Sequence, residues 1–238
     1  LNSLREHDAV GIYVGRADWP NHNTGVWRYN GEYDEDNIYT DGKWRLMTYD
    51  LDYTMGSAWR FSYYVKSYAF DNFGYIERGR NDAPTNIFLA LLKNEKFKKK
   101  FANVFCDYAN EVMKISKILK MIDDYAKNRA DLIAYSQLRW YGGSSKKTGY
   151  ERWRNNYLNT ILPGIREFFA QRPNFVLEHM QDYLGLSGRF HKLTIVFNGK
   201  GKIKVNSVVI SEENGRWEGK YLDSVHIEIT AIDEGDNV

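Results

Sequence analysis

The sequence predicts an α+β fold: a mainly helical body with a small β-hairpin region ahead of it and a small antiparallel β module behind it. Three observations carry this. Apolar residues recur at three- to four-residue spacing from about 57 to 184, the period drops to two after Gly188, and the stretch before 57 is loop-rich with one clear strand signal.

Residues 1–17 read as a short helix entering a turn. Loops follow at 18–25 and 31–44, and WRLMTYDLDY at 44–53 reads as a strand. Thr40-Asp41-Gly42 is a turn signal, which makes 26–30 and 44–50 antiparallel partners. In the body, Ile87, Leu91, Phe97, Phe101, Val104, Phe105, Tyr108 and Val112 form an apolar face over two helical segments. Ser116 is placed to cap the next helix, with Leu119, Ile122, Ala126 and Ile133 as its stripe. A glycine-serine loop at 141–149 interrupts, and Trp153, Tyr157, Ile161, Ile165 and Phe168 resume the pattern with Pro163 as a break or kink. Pro173 sits near a helix start, and Gly185 stops the helix over 174–184. Beyond 188, Leu193, Ile195 and Phe197 alternate, then Val208 and Ile210, then Val225, Ile227, Ile229 and Ala231. FNGKG at 197–201 and ENGRW at 213–217 read as hairpin turns, and no closing strand follows in 233–238. The expected division is a body at 1–186 and a truncated, separable β module at 189–238, with proteolysis falling first between Gly185 and Arg189.

Composition removes several functions. The 238 residues carry 33 Lys+Arg against 31 Asp+Glu, a net charge of +2, which argues against a nucleic-acid partner. No apolar run approaches the roughly 18 residues a membrane helix needs, so no membrane insertion is expected. A single cysteine, Cys106, excludes an intrachain disulfide and a multi-cysteine zinc site, and reads as a core residue. No HExxH or GxSxG motif occurs, so zinc hydrolysis and nucleophile-elbow chemistry are set aside. Aromatic residues make up 16% of the chain, most simply as core. The acidic pair Asp34 and Asp36 lacks calcium-loop spacing and reads as a solvated turn, and the basic run at 93–100 reads as a solvated helix face.

Four residues can carry chemistry: Asp18, Asn23, Asp50 and Asp52. On a strand, Asp50 and Asp52 would project from one face, and two like charges there are costly without solvent or a cation between them. Mg²⁺ suits such a pair because it takes few carboxylates and leaves positions for water and phosphate. The spacing Asp-x-x-x-x-Asn is that of a protein-kinase catalytic loop, where the Asp accepts the acceptor hydroxyl proton and the Asn holds metal, with a later Asp at a strand end on the phosphate-bridging Mg²⁺. The plain alternative is that Asp18 and Asn23 cap turns while Asp50 and Asp52 pair with Arg28 or Arg45. Trp19 and Trp44 flank these residues, either as core or, for one of them, as a stacking surface for adenine.

ADWPNHN at 17–23, DGKWRLMTYDLDYTMG at 41–56, NIFLALLKNEKFKKKFANVFCDYAN at 86–110 and RPNFVLEHMQDYLGL at 172–186 together resemble the CotH family of spore-coat and cell-surface atypical kinases, over about 5–186. The resemblance implies Mg²⁺ or Mn²⁺ and ATP as cofactors and a Ser/Thr-bearing coat or cell-surface protein as phosphoacceptor. It implies Asp18 as base, Asn23 and Asp52 as metal ligands and a secreted, cell-surface or spore-coat location. Trp44 is assigned to the nucleotide. The chain departs from the family pattern at His22, in the long stretch between Asn23 and Trp44, and at Asp52-Tyr53-Thr54, where the glycine comes only at Gly56; Asp50 is therefore carried as an alternative metal ligand. No glycine-rich loop precedes Asp18, which implies a C-lobe whose N-lobe is absent and which is inactive alone. Residues 191–231 resemble the InlB-like bacterial repeat. A kinase-like scaffold without catalysis is the alternative function, separated from the first by whether a lysine-bearing strand and glutamate-bearing helix lie upstream.

Overall fold

The computed structural model describes residues 1–20, 22–56, 68–77, 82–141, 146–211 and 215–232. Gly142, Gly143, Ser144 and Ser145 of the expected 141–149 loop, Glu213 and Asn214 of the second turn signal, and the 233–238 tail lie outside the described residues; 146–149, expected as loop, are already helix. Helix α1 (Asn2–Tyr13) leads into β1 (Gly25–Trp27), which pairs antiparallel with β2 (Arg45–Met47), Val26 opposite Leu46. The pairing expected around Thr40-Asp41-Gly42 is present, but both strands are three residues long. The chain between them makes a helical turn at Ile38–Thr40, capped by the Asn37 side chain, instead of a tight hairpin.

The helical body comprises α2 (Asn72–Glu77), α3 (Ala83–Leu92), α4 (Glu95–Asp107), α5 (Ile115–Met121), α6 (Ala130–Tyr141), α7 (Lys146–Asn156), α8 (Leu162–Gln171) and α9 (Pro173–Leu184). Asp82 caps α3 and Asn94 caps α4 through their side chains. Ser116 does not cap: α5 starts one residue before it, with Lys114 at the cap position and no side-chain bond. A wide π turn at Tyr157–Ile161 precedes Pro163, which has no N–H for the regular ladder. Gly185, at φ 61°, ends α9 with the paired bonds Gly185 N–H to Asp182 O and Leu186 N–H to Gln181 O.

Part of the aromatic excess is core, and part of it, Trp44, Tyr125, Tyr135 and Trp140 included, is exposed. Tyr13 stacks on Phe169, Phe73 meets Phe101 and Phe105, and Phe88 sits edge-on to Phe101. Cys106 is buried among them.

After Gly188, β3 (Phe190–Val196) pairs antiparallel with β6 (Arg216–Leu222), and β4 (Lys202–Val205) lies between β5 (Val208–Ser211) and β7 (Ile229–Ile232). FNGKG is not a hairpin turn: it carries the chain from β3 to β4, in the other sheet, and β5 and β6, on either side of ENGRW, also lie in different sheets. The tight hairpin is Asn206-Ser207, with Val205 opposite Val208 and Asn206 at φ 46°. Its tip points into the helical body. Asp107, fully buried at the end of α4, accepts from Asn206 Nδ2 at 3.0 Å, Ser207 N at 2.9 Å, Ser207 Oγ at 2.6 Å and Tyr221 Oη at 2.7 Å. Trp217 Nε1 donates to Glu111 at 2.8 Å, and Asn110 is bonded both ways to the Lys220 backbone. Ile195, Val205, Ile210, Trp217 and Tyr221 join the same buried apolar cluster as Phe101 and Phe105.

Candidate active site

The site is built where α1 ends. Arg172, fully buried, donates from Nε to Tyr13 O and from Nη2 to Ile12 O, which satisfies the last carbonyls of α1. Its Nη1 reaches Tyr68 O and Phe70 O. Burial holds its pKa down at about 10, still far above neutrality. Gly11 lets Trp19 lie against α1: a Cβ there would stand 3.3 Å from the indole. Gly15, at φ 68°, turns the chain, and two backbone bonds then tie it to the segment after β2: Met55 N–H to Val14 O at 2.8 Å and Ala17 N–H to Tyr53 O at 3.1 Å. These bonds bring Asp18 beside Asp52.

Asp50 and Asp52 do not lie on a strand. The strand stops at Met47, Asp50 takes φ 53°, and Thr54 Oγ1 closes the bend onto Leu51 O at 2.6 Å. The carboxylates converge through this bend and not through the alternation of a strand. Asp18, Asp50 and Asp52 each offer one oxygen, and these oxygens lie within 4.8 Å of one another. Asn23, at φ 54°, donates from Nδ2 to Asp18 Oδ2 at 2.5 Å, which leaves its own amide oxygen for another partner. The alternative ion pairs are not made: Arg45 pairs with Asp41 at 2.8 Å, and the Arg28 guanidinium lies 5.2 Å from the Trp44 ring centre.

Arg16 is the residue that sequence reasoning missed. It is fully buried, and its Nη2 donates to Asn23 O at 3.0 Å and to Tyr49 O, so one guanidinium ties the Asp18 loop to the Asp50 bend. No local signal marks it, because the Tyr49 carbonyl it binds lies 33 residues away.

Burial, chiefly, pushes the Asp18 carboxyl up from its ordinary value, with the Asp50 charge adding and Arg16 and His22 opposing. Asp52 is raised by burial first, then by the charge of Asp50, its hydrogen bond with Asp50 and the charge of Asp18. Three acids in mutual reach repel one another when ionised. Asp18 Oδ1 is closed off from solvent and has no hydrogen-bond partner. An orphaned carboxylate oxygen beside two more carboxylates and a spare amide oxygen is a donor set of the hard, all-oxygen kind that Mg²⁺ and Mn²⁺ take, so the residues present fit such an ion.

Trp44 lies apart from this hub, exposed at the start of β2. It lines an apolar cavity of about 240 Å³ together with Trp19, Pro20, Thr24, Val26 and Leu46, and so adjoins the loop that carries Asp18. Trp19 is core. Asp34 and Asp36 form the expected solvated turn, Asp36 N–H bonding to Asp34 Oδ1 at 3.0 Å.

The family model described as "CotH kinase protein" matches residues 6–176, from within α1 into α9. The chain belongs to the CotH kinase family. The match contains Asp18, Asn23, Asp50 and Asp52 and ends before β3. No curated protein and no solved structure matches the chain. Among the described residues, no helix of this CotH family member is long and apolar enough to cross a membrane.

Proposed function

We propose that this CotH family member, secreted, at the cell surface or in the spore coat, takes part in transfer of the γ-phosphoryl group of ATP to a Ser or Thr hydroxyl of a coat or cell-surface protein. The observation that carries this is the convergence of Asp18, Asp50 and Asp52 around an orphaned carboxylate oxygen. Asp52, Asp50 and the amide oxygen of Asn23 would hold Mg²⁺ or Mn²⁺. When bound, the ion supplies positive charge against the phosphate oxygens.

Asp18 is the base. The acceptor oxygen attacks the γ-phosphorus, its proton passes to an Asp18 oxygen, and the bond to the β-phosphate oxygen breaks with ADP leaving. The raised pKa of Asp18 makes it a stronger proton acceptor than an ordinary aspartate, provided it is ionised at the working pH. Asn23 orients it through the Oδ2 hydrogen bond, and Arg16 acts through both as a positioning residue. Trp44 is the proposed nucleotide contact. Residues 1–186 are read as a kinase C-lobe and 189–238 as an InlB-like β module, and turnover is to be assayed in this chain and in any longer protein that contains it.

Two measurements test the reading. Calorimetry with Mn²⁺ should show one site in the 238-residue chain, lost in Asp52→Ala. Phosphate incorporation from labelled ATP should occur in that chain or in a longer protein that contains it, and fail in Asp18→Asn. Metal binding without transfer in any context would leave the non-catalytic scaffold as the function. Absence of both would remove the site.

A further inference from the structure

The basic run at 93–100 is a sequence feature that the acidic site leaves unused. On α4 it divides. Lys98 pairs with Glu95 at 2.5 Å, while Lys96, Lys99 and Lys100 line a groove between α4 and the β module. The groove opens into a hollow of about 250 Å³ where α1, α4 and the β4–β5 hairpin meet, and Lys100 lines both. In that hollow Arg5 of α1, Lys100 of α4 and Lys204 of β4 come together from three separate elements.

The walls of the hollow are fixed by other bonds. Asn103 Nδ2 donates to His226 O at 2.7 Å, and the hairpin tip is held by Asp107. The Arg5 guanidinium donates to Asn2 and lies 5.5 Å from the Phe97 ring centre. A ligand meets these groups already ordered, which lowers the cost of binding. Arg5 is nine-tenths buried, yet its Nε has no hydrogen-bond partner. An unmet buried donor of this kind is costly to leave unfilled.

The charges say what fits. Arg5, Lys96, Lys99, Lys100 and Lys204 hold no ion pair among the described residues. Glu6 and Glu228 line the same space, so five cations face two carboxylates there, in a chain whose whole net charge is +2. A carboxylate ligand would cancel one charge of that excess. A phosphomonoester carries nearly two at neutral pH and offers three acceptor oxygens, which suits three cations converging from three directions. Glu6 and Glu228 interrupt the unbroken basic track that a long polyanion follows, so a discrete group is favoured. We propose that the hollow between α1, α4 and the β4–β5 hairpin binds a phosphomonoester, the group borne by a phosphorylated Ser or Thr side chain or by a small phosphate ester. The hollow shares no residue with Asp18, Asn23, Asp50 and Asp52, so it stands whether or not those residues hold metal.

The test titrates the whole chain by calorimetry in metal-free buffer at constant ionic strength. The probes are glycerol phosphate, a heptapeptide with one phosphoserine between neutral flanks, and the same peptide with glutamate in its place. Both phosphate probes should bind saturably, and the glutamate peptide about tenfold or more weaker. A phosphopeptide that binds tighter than glycerol phosphate marks a protein-borne ligand; equal affinity marks a free ester. The double variant Lys100→Ala/Lys204→Ala should lose about tenfold or more in affinity, with its melting temperature in phosphate-free buffer unchanged because both side chains are exposed. Glu228→Gln should tighten binding about twofold or more, because it removes a charge of the ligand's own sign. No saturable binding, a glutamate peptide as tight as the phosphopeptide, or unchanged affinity in the lysine double variant overturns the proposal.

Discussion

Two carboxylate sites in this chain are opposites. Asp107 is buried in the heart of the molecule and accepts four hydrogen bonds, all from the β module. Asp18, Asp50 and Asp52 sit at the edge, face one another, and leave an oxygen of Asp18 with no partner. Both sites raise a carboxyl pKa through burial. At Asp107 the surrounding donors oppose that rise; at Asp52 the neighbouring acids add to it. A carboxylate that serves structure is saturated by donors from its own chain. A cluster of acids that face one another and leave a carboxylate oxygen without a donor is where the chain has room for a ligand.

Several substitutions separate the two kinds of site. Where transfer is measured, Asp18→Asn should lower kcat by about two to four orders of magnitude, the usual scale for a general base, while ATP affinity in calorimetry is largely kept. Asp52→Ala should reduce turnover at least as far and also remove Mn²⁺ binding. Neither should unfold the chain. Asp107→Ala should do the reverse. It orphans donors of Asn206, Ser207 and Tyr221 in the interior and should cost about 3 kcal/mol or more in denaturant unfolding, with Mn²⁺ affinity unchanged. A loss of metal binding in Asp107→Ala would blur the distinction.

Arg16 tests the seam between them, since it is as buried as Asp107 yet serves the loops of the acidic site. Arg16→Gln should cost about 2 kcal/mol by leaving the carbonyls of Asn23 and Tyr49 without their donor, and should weaken Mn²⁺ binding as the loops part. Unaltered metal affinity with lowered stability would make it a purely structural residue.

The smallest effect is in pH. Asp18 and Asp52 have folded-state pKa values raised above the ordinary 3.8, so the folded state holds their protons more tightly than the unfolded chain does. Their contribution is therefore favourable below that value and is lost as pH rises through the raised folded values. Asp107 titrates in the same sense. A metal ion at the acidic site reverses the first two and not the third. Added Mn²⁺ should raise the melting temperature more at pH 7 than at pH 4.5, and Asp52→Ala should flatten that difference. A metal effect independent of pH would place the ion elsewhere.

Much of this was legible in the sequence, for local reasons. Helix periodicity and the Gly185 stop are written within a few residues of where they act, while the caps at Asp82 and Asn94 went unread and Ser116 was read as one in error. The pairing of 26 with 46 was visible from two short aromatic stretches and a turn signal. The grouping of Asp18, Asn23, Asp50 and Asp52 came from spacing and family resemblance, but the geometry behind it did not. A run of Trp, Leu, Met and Tyr reads as strand, while the chain leaves that conformation at Asp50 because its backbone is taken up by Arg16 and Ala17. The roles of Arg16, Arg172 and Asp107 depend on partners 33 to 160 residues away, which no local pattern encodes. The Asn206-Ser207 hairpin was hidden because the stronger glycine signals on either side of it lie between strands of different sheets.

Asp107 also has a consequence for the order in which the chain assembles. Its bonds join residues 99 to 114 positions apart, so each closes a long loop before it yields anything. Helix α4 is local and needs none of them. The helical body can therefore reach much of its structure while the β module is still searching, and the hub closes late. Interactions made late act on the escape rate and hardly on the rate of arrival. Asp107 and the tip of the 206–207 hairpin are thus a lock on the finished molecule: they set how long the native state survives once formed, not how quickly it forms.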